Sequence, residues 1–203
     1  MFAILQAAGW PIWPLLVASI LALALIIERV VALRAVKVVP AGLVQRVIGE
    51  LREHGANDAL VQNLERHSAL GRVLSAAVRN VSASREVMKE AIEEAGRAAA
   101  HDLERYLTTL GTIASVAPLM GLFGTVVGMI EIFGAATPGG GANPQQLAHG
   151  ISIALYNTGF GLMIAIPSLI AWRHFRAQVD SYVIEMEQQA VRLVEVLHGE
   201  RKE

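Results

Sequence analysis

Residues 117–128 read APLMGLFGTVVG, and residues 150–155 and 158–167 read GISIAL and TGFGLMIAIP. These stretches are almost wholly apolar, yet they hold most of the glycines, prolines and hydroxyls that are candidates for function. A helix needs about 20 apolar residues to cross the core of a bilayer, and each region reaches that length once its apolar flanks are included. The sequence therefore predicts an integral membrane protein.

Three transmembrane helices are predicted, at residues 11–33, 110–136 and 151–172. Trp10 and Trp13 fit the aromatic belt that marks a membrane interface. The expected fold class is an all-α integral membrane protein with long cytoplasmic helical extensions. The remaining segments are a short N-terminus at 1–10, a helical segment at 34–109, a loop at 137–150 and a C-terminal helix at 173–203.

The distribution of lysine and arginine predicts the orientation of the spans. Twelve of the 17 lie from Arg29 to Arg105, the other five follow the third span, and the first 28 residues have none. Positively charged residues concentrate on the cytoplasmic side of membrane proteins. The helical segment and the C-terminal helix are therefore expected in the cytoplasm, and the N-terminus and the loop in the periplasm.

Composition argues against several classes of function. The net charge of −1 gives no basic excess for nucleic acid, and the absence of cysteine removes disulfides and thiol chemistry. The six histidines lack metal-ligand spacing, and the run Gly139–Gly141 is not followed by the Lys-Ser/Thr of a phosphate loop. We expect no enzyme activity, cofactor, metal or nucleic-acid partner.

The helical segment at 34–109 contains apolar residues at helical spacing. The stretch from His54 to Asp58 indicates a break and a new N-cap, and Ser82 or Ser84 is expected to cap a further helix. No stop signal follows, so that helix is predicted to continue unbroken into the second span.

An apolar stripe follows the third span at the spacing of one helix face. The stripe requires a partner, which is either the stretch Glu86–Leu107 or a neighbouring subunit. Its members are Val179, Tyr182, Val183, Met186, Ala190, Leu193 and Leu197.

Small residues line one face of the second span and one face of the third. Gly124 and Gly128 form a small-xxx-small pattern, which lets helices approach closely. A proline inside a helix removes a backbone hydrogen bond and is expected to kink or loosen it, for packing or for function. The residues assigned to packing and kinks are Pro118, Gly121, Gly124, Gly128, Gly161 and Pro167.

Thr125 and Thr158 lie near the middle of the second and third spans. A buried threonine in a membrane helix most often bonds back to the carbonyl four residues earlier, so a structural role is one interpretation. Their matched depth and their glycine neighbours favour a second interpretation, in which they form a functional pair. Asn157, beside Thr158, is expected to face protein or water, and its simplest role is to join helices.

Of the aspartates and glutamates in the sequence, Glu131 alone lies well inside a predicted span. An ionisable residue there is a functional candidate, although it lies about 9 Å outward of Thr125, near the outer interface. Two interpretations remain open: an acid of an outer vestibule, or a side chain that water simply solvates.

The second and third spans resemble the MotA/TolQ/ExbB proton-channel family. The resemblance covers residues 105–198, and the three-span layout is similar to the ExbB/TolQ branch. The residues that carry it are Ala117-Pro118, Gly121 to Val126, Gly128-Met129, Asn143-Pro144, Gly150 to Ser152, Ala154-Leu155, Thr158, Gly161-Leu162 and Ala165 to Pro167.

The resemblance implies a homopentamer in the bacterial inner membrane, in contact with its lipids. The pore of the pentamer holds the single membrane helices of two copies of an ExbD- or TolR-like partner. An aspartate of that partner takes and releases the proton, and Thr125 and Thr158 match the family's pore threonines that face it. The output passes to a TonB- or TolA-like protein. The residues of this chain agree with that implication on one point. No titrating group lies at the centre of a span, so a proton path would need an acid from another subunit.

One position departs from the family pattern. Many ExbB and TolQ proteins carry glutamate where this chain has Ile153, so Glu131 takes over its role or the acid is dispensable. The favoured function is a proton-driven motor subunit of an ExbB–ExbD complex that energises import across the outer membrane. The alternatives are a TolQ-like role in outer-membrane maintenance and a membrane scaffold that conducts nothing.

Overall fold

The computed structural model describes residues 6–134 and 144–199, in which every regular element is a helix. The all-α fold class is thus confirmed. Residues of 1–28 and 106–174 form one compact unit, and residues of 29–105 and 175–203 form a second. The helices labelled here are α1 Ile12–Ala32, α2 Ala35–Val38, α3 Leu43–His54, α4 Asp58–His67, α5 Ala69–Arg79, α6 Arg85–Glu104, α7 Leu107–Gly134 and α8 Pro144–Leu197.

Three stretches of the described residues are long and apolar enough to cross a membrane. They lie in α1, in the region Arg85–Gly134 that includes α7, and in α8. Large apolar side chains on them are exposed in the single chain, among them Ile20, Leu119 and Met163. Soluble monomers rarely expose such a contiguous apolar surface, so these faces require lipid or other protein chains.

α6 and α7 are separate helices, and the prediction of one unbroken helix is wrong here. α6 ends at Glu104, α7 begins at Leu107, and Tyr106 between them has a φ of 65°. A tyrosine in the left-handed region is uncommon, and neither glycine nor proline is present to signal a turn here. The sequence therefore gave no sign of this break. The buried guanidinium of Arg29 donates to the carbonyl oxygen of Leu103 at 3.0 Å. This tertiary contact satisfies the end of α6.

Side-chain N-caps mark where several helices of the second unit begin. Asn57 accepts a hydrogen bond of 2.7 Å from the amide three residues later, which confirms the predicted break and N-cap. Ser84, not Ser82, caps α6. A break that the sequence analysis missed lies between α4 and α5, where Ser68 accepts a bond of 2.9 Å from a backbone amide.

The stripe predicted after the third span forms the buried face of the C-terminal part of α8. Its most deeply buried members, at most 2% exposed, are Val179, Met186, Ala190 and Leu193. In the second unit the stripe lies beside α6, because Val183 and Met186 line one cavity together with Ile92. Of the two partners considered, the stretch within the same chain therefore lies next to the stripe.

α8 begins at Pro144, so residues 144–150, which were assigned to the loop, are helical. Proline suits a first helical position because its missing N–H has no helical acceptor there. α7 continues through Pro118, and α8 continues through Pro167. Residues 1–5, 135–143 and 200–203, which include parts of the predicted N-terminus, second span, loop and C-terminal helix, lie outside the described residues.

Candidate functional site

α7 and α8 cross at glycines of α7, where the two helices approach closely. A Cβ added at Gly121 would lie 2.8 Å from the carbonyl oxygen of Asn157, and one added at Gly124 would lie 2.6 Å from Asn157 Cγ. Farther along, a Cβ at Gly150 of α8 would lie 2.7 Å from the carbonyl oxygen of Gly128. Such close approach is the purpose of small residues in membrane helix pairs.

Gly161 is a second glycine of α8 that belongs to this crossing. A Cβ there would lie 2.6 Å from the carbonyl oxygen of Ala117, whereas a Cβ at Gly159 would meet nothing within 4 Å. Pro118 is half-buried, and Pro167 is exposed. Gly161 therefore lies in the contact between the helices, and Gly159, two residues earlier, does not.

The two threonines make different hydrogen bonds. Thr125 Oγ1 donates to the carbonyl oxygen of Leu122 at 2.6 Å, a bond back within its own helix. Thr158 Oγ1 donates across the helix pair to the carbonyl oxygen of Gly121 at 3.3 Å. The two acceptors, Gly121 and Leu122, are consecutive residues, so their carbonyls differ by about 1.5 Å along the axis of α7 and by about 100° around it. The structure thus brings both hydroxyls to nearly the same level of the α7–α8 pair.

A shallow cavity of about 490 Å³ opens beside Thr125. Thr125 supplies the hydroxyl of a lining that is otherwise apolar. The other lining residues are Val126, Met129, Ile130, Phe133 and Gly134. An apolar helix that carries one polar group would match this surface, because the threonine offers it a hydrogen-bonding partner.

Glu131 lies at the far end of α7, with 3.9 Å between its carboxylate and the imidazole of His149 on α8. Their side chains are 43% and 55% exposed. Six residues of helix turn through about 240°, so Glu131 points about 120° away from Thr125. His149 was not predicted as a neighbour of Glu131, although the stretch 107–172 contains no other Asp, Glu, Lys, Arg or His besides these two.

Asn157 is fully buried in the same helix pair. Its Nδ2 donates to the carbonyl oxygen of Ile153 at 2.8 Å and to that of Ala8 at 2.7 Å. It therefore joins α8 to the segment that precedes α1, which fits the joining role expected for it. The sequence indicated a polar residue beside Thr158 but could not identify its distant partner.

Ile153, where the resemblance to the family led us to expect glutamate, is 1% exposed. Its Cδ1 would lie 3.4 Å from a Cβ added at Gly9. A carboxylate in this place would be buried without water, which is costly unless it is paired. Isoleucine therefore suits the packing of the N-terminal segment on α8.

The described residues contain no group of three His, Cys, Asp or Glu side chains that could hold a metal ion. One carboxyl outside the apolar spans is perturbed: the hydrogen bond from Arg72, with its charge, holds the pKa of Asp102 below its usual value. Both side chains are well exposed, so this pair belongs to the surface of the second unit.

A model of the MotA/TolQ/ExbB proton channel family matches residues 65–188, which include the glycine crossing and both threonines. The chain belongs to this family. As a MotA/TolQ/ExbB protein with three apolar helices, it is a membrane protein of the bacterial inner membrane. It is similar to biopolymer transport protein exbB1 of Vibrio cholerae, with 30% identity over 188 residues that cover 90% of this chain and 82% of that protein.

Relatives named for two different systems match this MotA/TolQ/ExbB chain about equally over shorter stretches. Biopolymer transport protein ExbB of Helicobacter pylori is 42% identical over 79 residues, 39% of this chain and 54% of that protein. Tol-Pal system protein TolQ of Haemophilus influenzae is 40% identical over 79 residues, 39% of this chain and 35% of that protein. The chain is therefore of the ExbB/TolQ type.

Proposed function

We propose that this chain is the proton-channel subunit of an ExbB–ExbD-type motor that couples the proton motive force to import across the outer membrane. The observation that carries the proposal is the placement of the Thr125 and Thr158 hydroxyls at one level of the tightly packed α7–α8 pair. The cavity beside Thr125 has no acid in its lining. A proton path at this depth then needs a titrating group from a partner chain.

In the proposed orientation, the N-terminus and the loop after α7 face the periplasm, and the second unit faces the cytoplasm. The absence of lysine and arginine from residues 1–28 and 106–172 supports this orientation. An inward proton then gains about 2.3 kcal/mol for each 100 mV of membrane potential. This driving force is what the motor would convert into movement.

The hydrogen bonds of the threonines suggest how they handle a partner aspartate in both of its states. Thr125 already donates its proton to Leu122, so its oxygen accepts from a protonated carboxyl without rearrangement. An ionised carboxylate needs a donor instead, and Thr158 has the longer bond to give up, at 3.3 Å. The two hydroxyls together can therefore stabilise the acid before and after it releases its proton.

The proposed assembly is a homopentamer, embedded in lipid, around the membrane helices of two copies of an ExbD/TolR-like partner. The exposed apolar side chains of α7 and α8, such as Leu122 and Leu155, support an assembly that covers them. A TonB/TolA-like protein would receive the movement. In this ring Glu131 has a secondary part in an outer vestibule, because it points away from Thr125, and Glu131→Gln should reduce conduction less than loss of either threonine.

The test is proton flux into liposomes that contain this chain purified with its single-span partner. Thr125→Val and Thr158→Val keep the side-chain shape and remove the hydroxyl, so each should lower the flux at least about tenfold, which corresponds to about 1.4 kcal/mol. Serine at either position should retain most of it. Thr112→Val is the matched control, since Thr112 is an exposed residue of α7 that bonds only to the carbonyl of Thr108 at 2.9 Å. Wild-type flux from both site variants would refute the assignment.

A TolQ-like role is the second candidate, favoured by the similarity to the Haemophilus influenzae protein. Deletion of the gene separates the two roles, because loss of an import motor abolishes energised uptake, whereas loss of a TolQ-like motor makes the outer membrane permeable to detergent. If the wild-type complex moved no protons at all, the scaffold alternative would replace both.

A further inference from the structure

Asn157 places an amide in the most tightly packed part of an apolar helix pair. Burying such a group is unfavourable unless it is hydrogen bonded. Both Nδ2 donors are used, one within α8 on Ile153 and one on Ala8, 149 positions away in the chain, whereas the buried Oδ1 has no hydrogen-bond partner among the described residues. The bond to Ala8 is what an apolar side chain of similar size would lack, so the contact is specific to the amide.

The amide side chain of Asn157 packs against Gly124 of α7. A Cβ at Gly124 would lie 2.6 Å from Asn157 Cγ and 3.1 Å from its Nδ2, so the side chain occupies the space that the glycine leaves open. Asn157 is thereby held from two sides, by the α7 backbone and by the carbonyl of Ala8. Its rotation and its height along α7 are both constrained.

The next residue, Thr158, depends on the same crossing. A Cβ at Gly121 would lie 2.8 Å from the Asn157 carbonyl oxygen and 3.1 Å from Thr158 Cα, so these backbones are in direct contact. The Thr158 hydroxyl reaches the Gly121 carbonyl at 3.3 Å, near the upper limit of a hydrogen bond. A shift of a few tenths of an ångström between the helices would therefore break this bond.

We propose that Asn157 is the positioning residue of the threonine site: seated on Gly124 and bonded to Ala8, it sets the register of α8 on α7 at which Thr158 meets the Gly121 carbonyl. This proposal rests on the proposed function, because the role of Thr158, the residue that is positioned, is part of that function. Asn157 acts through Thr158 and carries no proton itself. The segment before α1 becomes part of the site in this way, although it is distant in sequence.

Two substitutions test the role in the liposome assay, with flux normalised to assembled complex. Asn157→Leu has a similar volume but no donor, and it should lower the flux about tenfold. Asn157→Asp can donate to Ala8 only while its carboxyl is protonated, and burial beside carbonyl oxygens favours the protonated form. Its flux relative to wild type should therefore be highest at neutral or acidic pH and fall as the pH is raised and the carboxyl ionises. Asn63→Asp, at an exposed position of α4, is the matched control and should follow wild type at every pH.

The outcomes are distinct. Wild-type flux from Asn157→Leu would overturn the inference, as would an Asn157→Asp variant whose flux relative to wild type does not change with pH. If Asn157→Leu does not assemble, the pH dependence of Asn157→Asp decides. A role confined to folding would lower the yield or the melting temperature without changing flux per complex. If Thr158→Val conducts like wild type in the same experiment, the proposed function fails, whatever Asn157 does.

Discussion

Gly124→Ala introduces one methyl group at the closest point of the α7–α8 crossing. The new Cβ would lie 2.6 Å from Asn157 Cγ, whereas carbon atoms in contact prefer about 3.5–4.0 Å. The helices must therefore separate by at least about 1 Å at this level. That displacement is enough to break the bond from Thr158 to the Gly121 carbonyl, which is already 3.3 Å long.

The free-energy change has an unfavourable and a favourable part. Overpacking costs about 1–3 kcal/mol, and loss of the threonine bond adds about 0.5–1.5 kcal/mol. Alanine regains about 1 kcal/mol because glycine is a poor helix former. The variant should therefore be less stable by about 0.5–3.5 kcal/mol, which lowers the melting temperature of a chain of this size by about 1–14 °C.

Gly159→Ala is the matched control, because it makes the same chemical change in α8 where a Cβ meets nothing within 4 Å. It should keep or raise the melting temperature, since only the gain in helix propensity remains. Thermal unfolding of the detergent-solubilised protein, followed by circular dichroism, measures both variants. If Gly124→Ala melts at or above the temperature of Gly159→Ala, the close crossing described here is wrong.

Three further predictions concern the second unit and are measured by thermal or denaturant unfolding. Asn57→Ala removes the N-cap of α4 and should cost about 1 kcal/mol; an unchanged melting temperature would contradict the cap. Arg29→Leu removes a buried donor to the end of α6 and should cost about 1.5–3 kcal/mol, and a neutral result would mean that the break after α6 does not need it. Arg72 lowers the pKa of Asp102 from its usual 3.8, so their pair stabilises the fold above that pH and its contribution is lost as the pH falls through the lowered pKa. Because both partners are well exposed, Asp102→Asn should cost at most about 1 kcal/mol at neutral pH, with the difference from wild type vanishing in acid.

Local patterns in the sequence predicted several features that the structure contains. The apolar stretches predicted three long apolar helices, the run from His54 to Asp58 predicted a break with an N-cap, and the stripe from Val179 to Leu197 predicted a buried helix face. Each of these depends on side chains within a few turns of one another. Hydrophobicity, helical period and capping are local properties, so a single chain is enough to read them.

Other features depended on contacts between distant segments. The turn at Tyr106 has no glycine or proline to signal it, and Ser68 has no distinguishing neighbour among the serines nearby. Glu131 could be judged only once its direction relative to Thr125 and its contact with His149 were known. Side-chain identity does not specify such contacts, because many backbone arrangements bury the same residues.

The sequence by itself determined the membrane class, the helical fold and the family, because these follow from composition, period and motif. Only the tertiary structure decided which glycines lie where α7 and α8 touch. It also decided that Thr158 bonds across the pair while Thr125 bonds within its helix, and that Asn157 reaches Ala8. The reason is physical: a hydroxyl or an amide has the same bonding capacity everywhere, and the distance to its partner, set by how closely two backbones approach, selects the bond that forms.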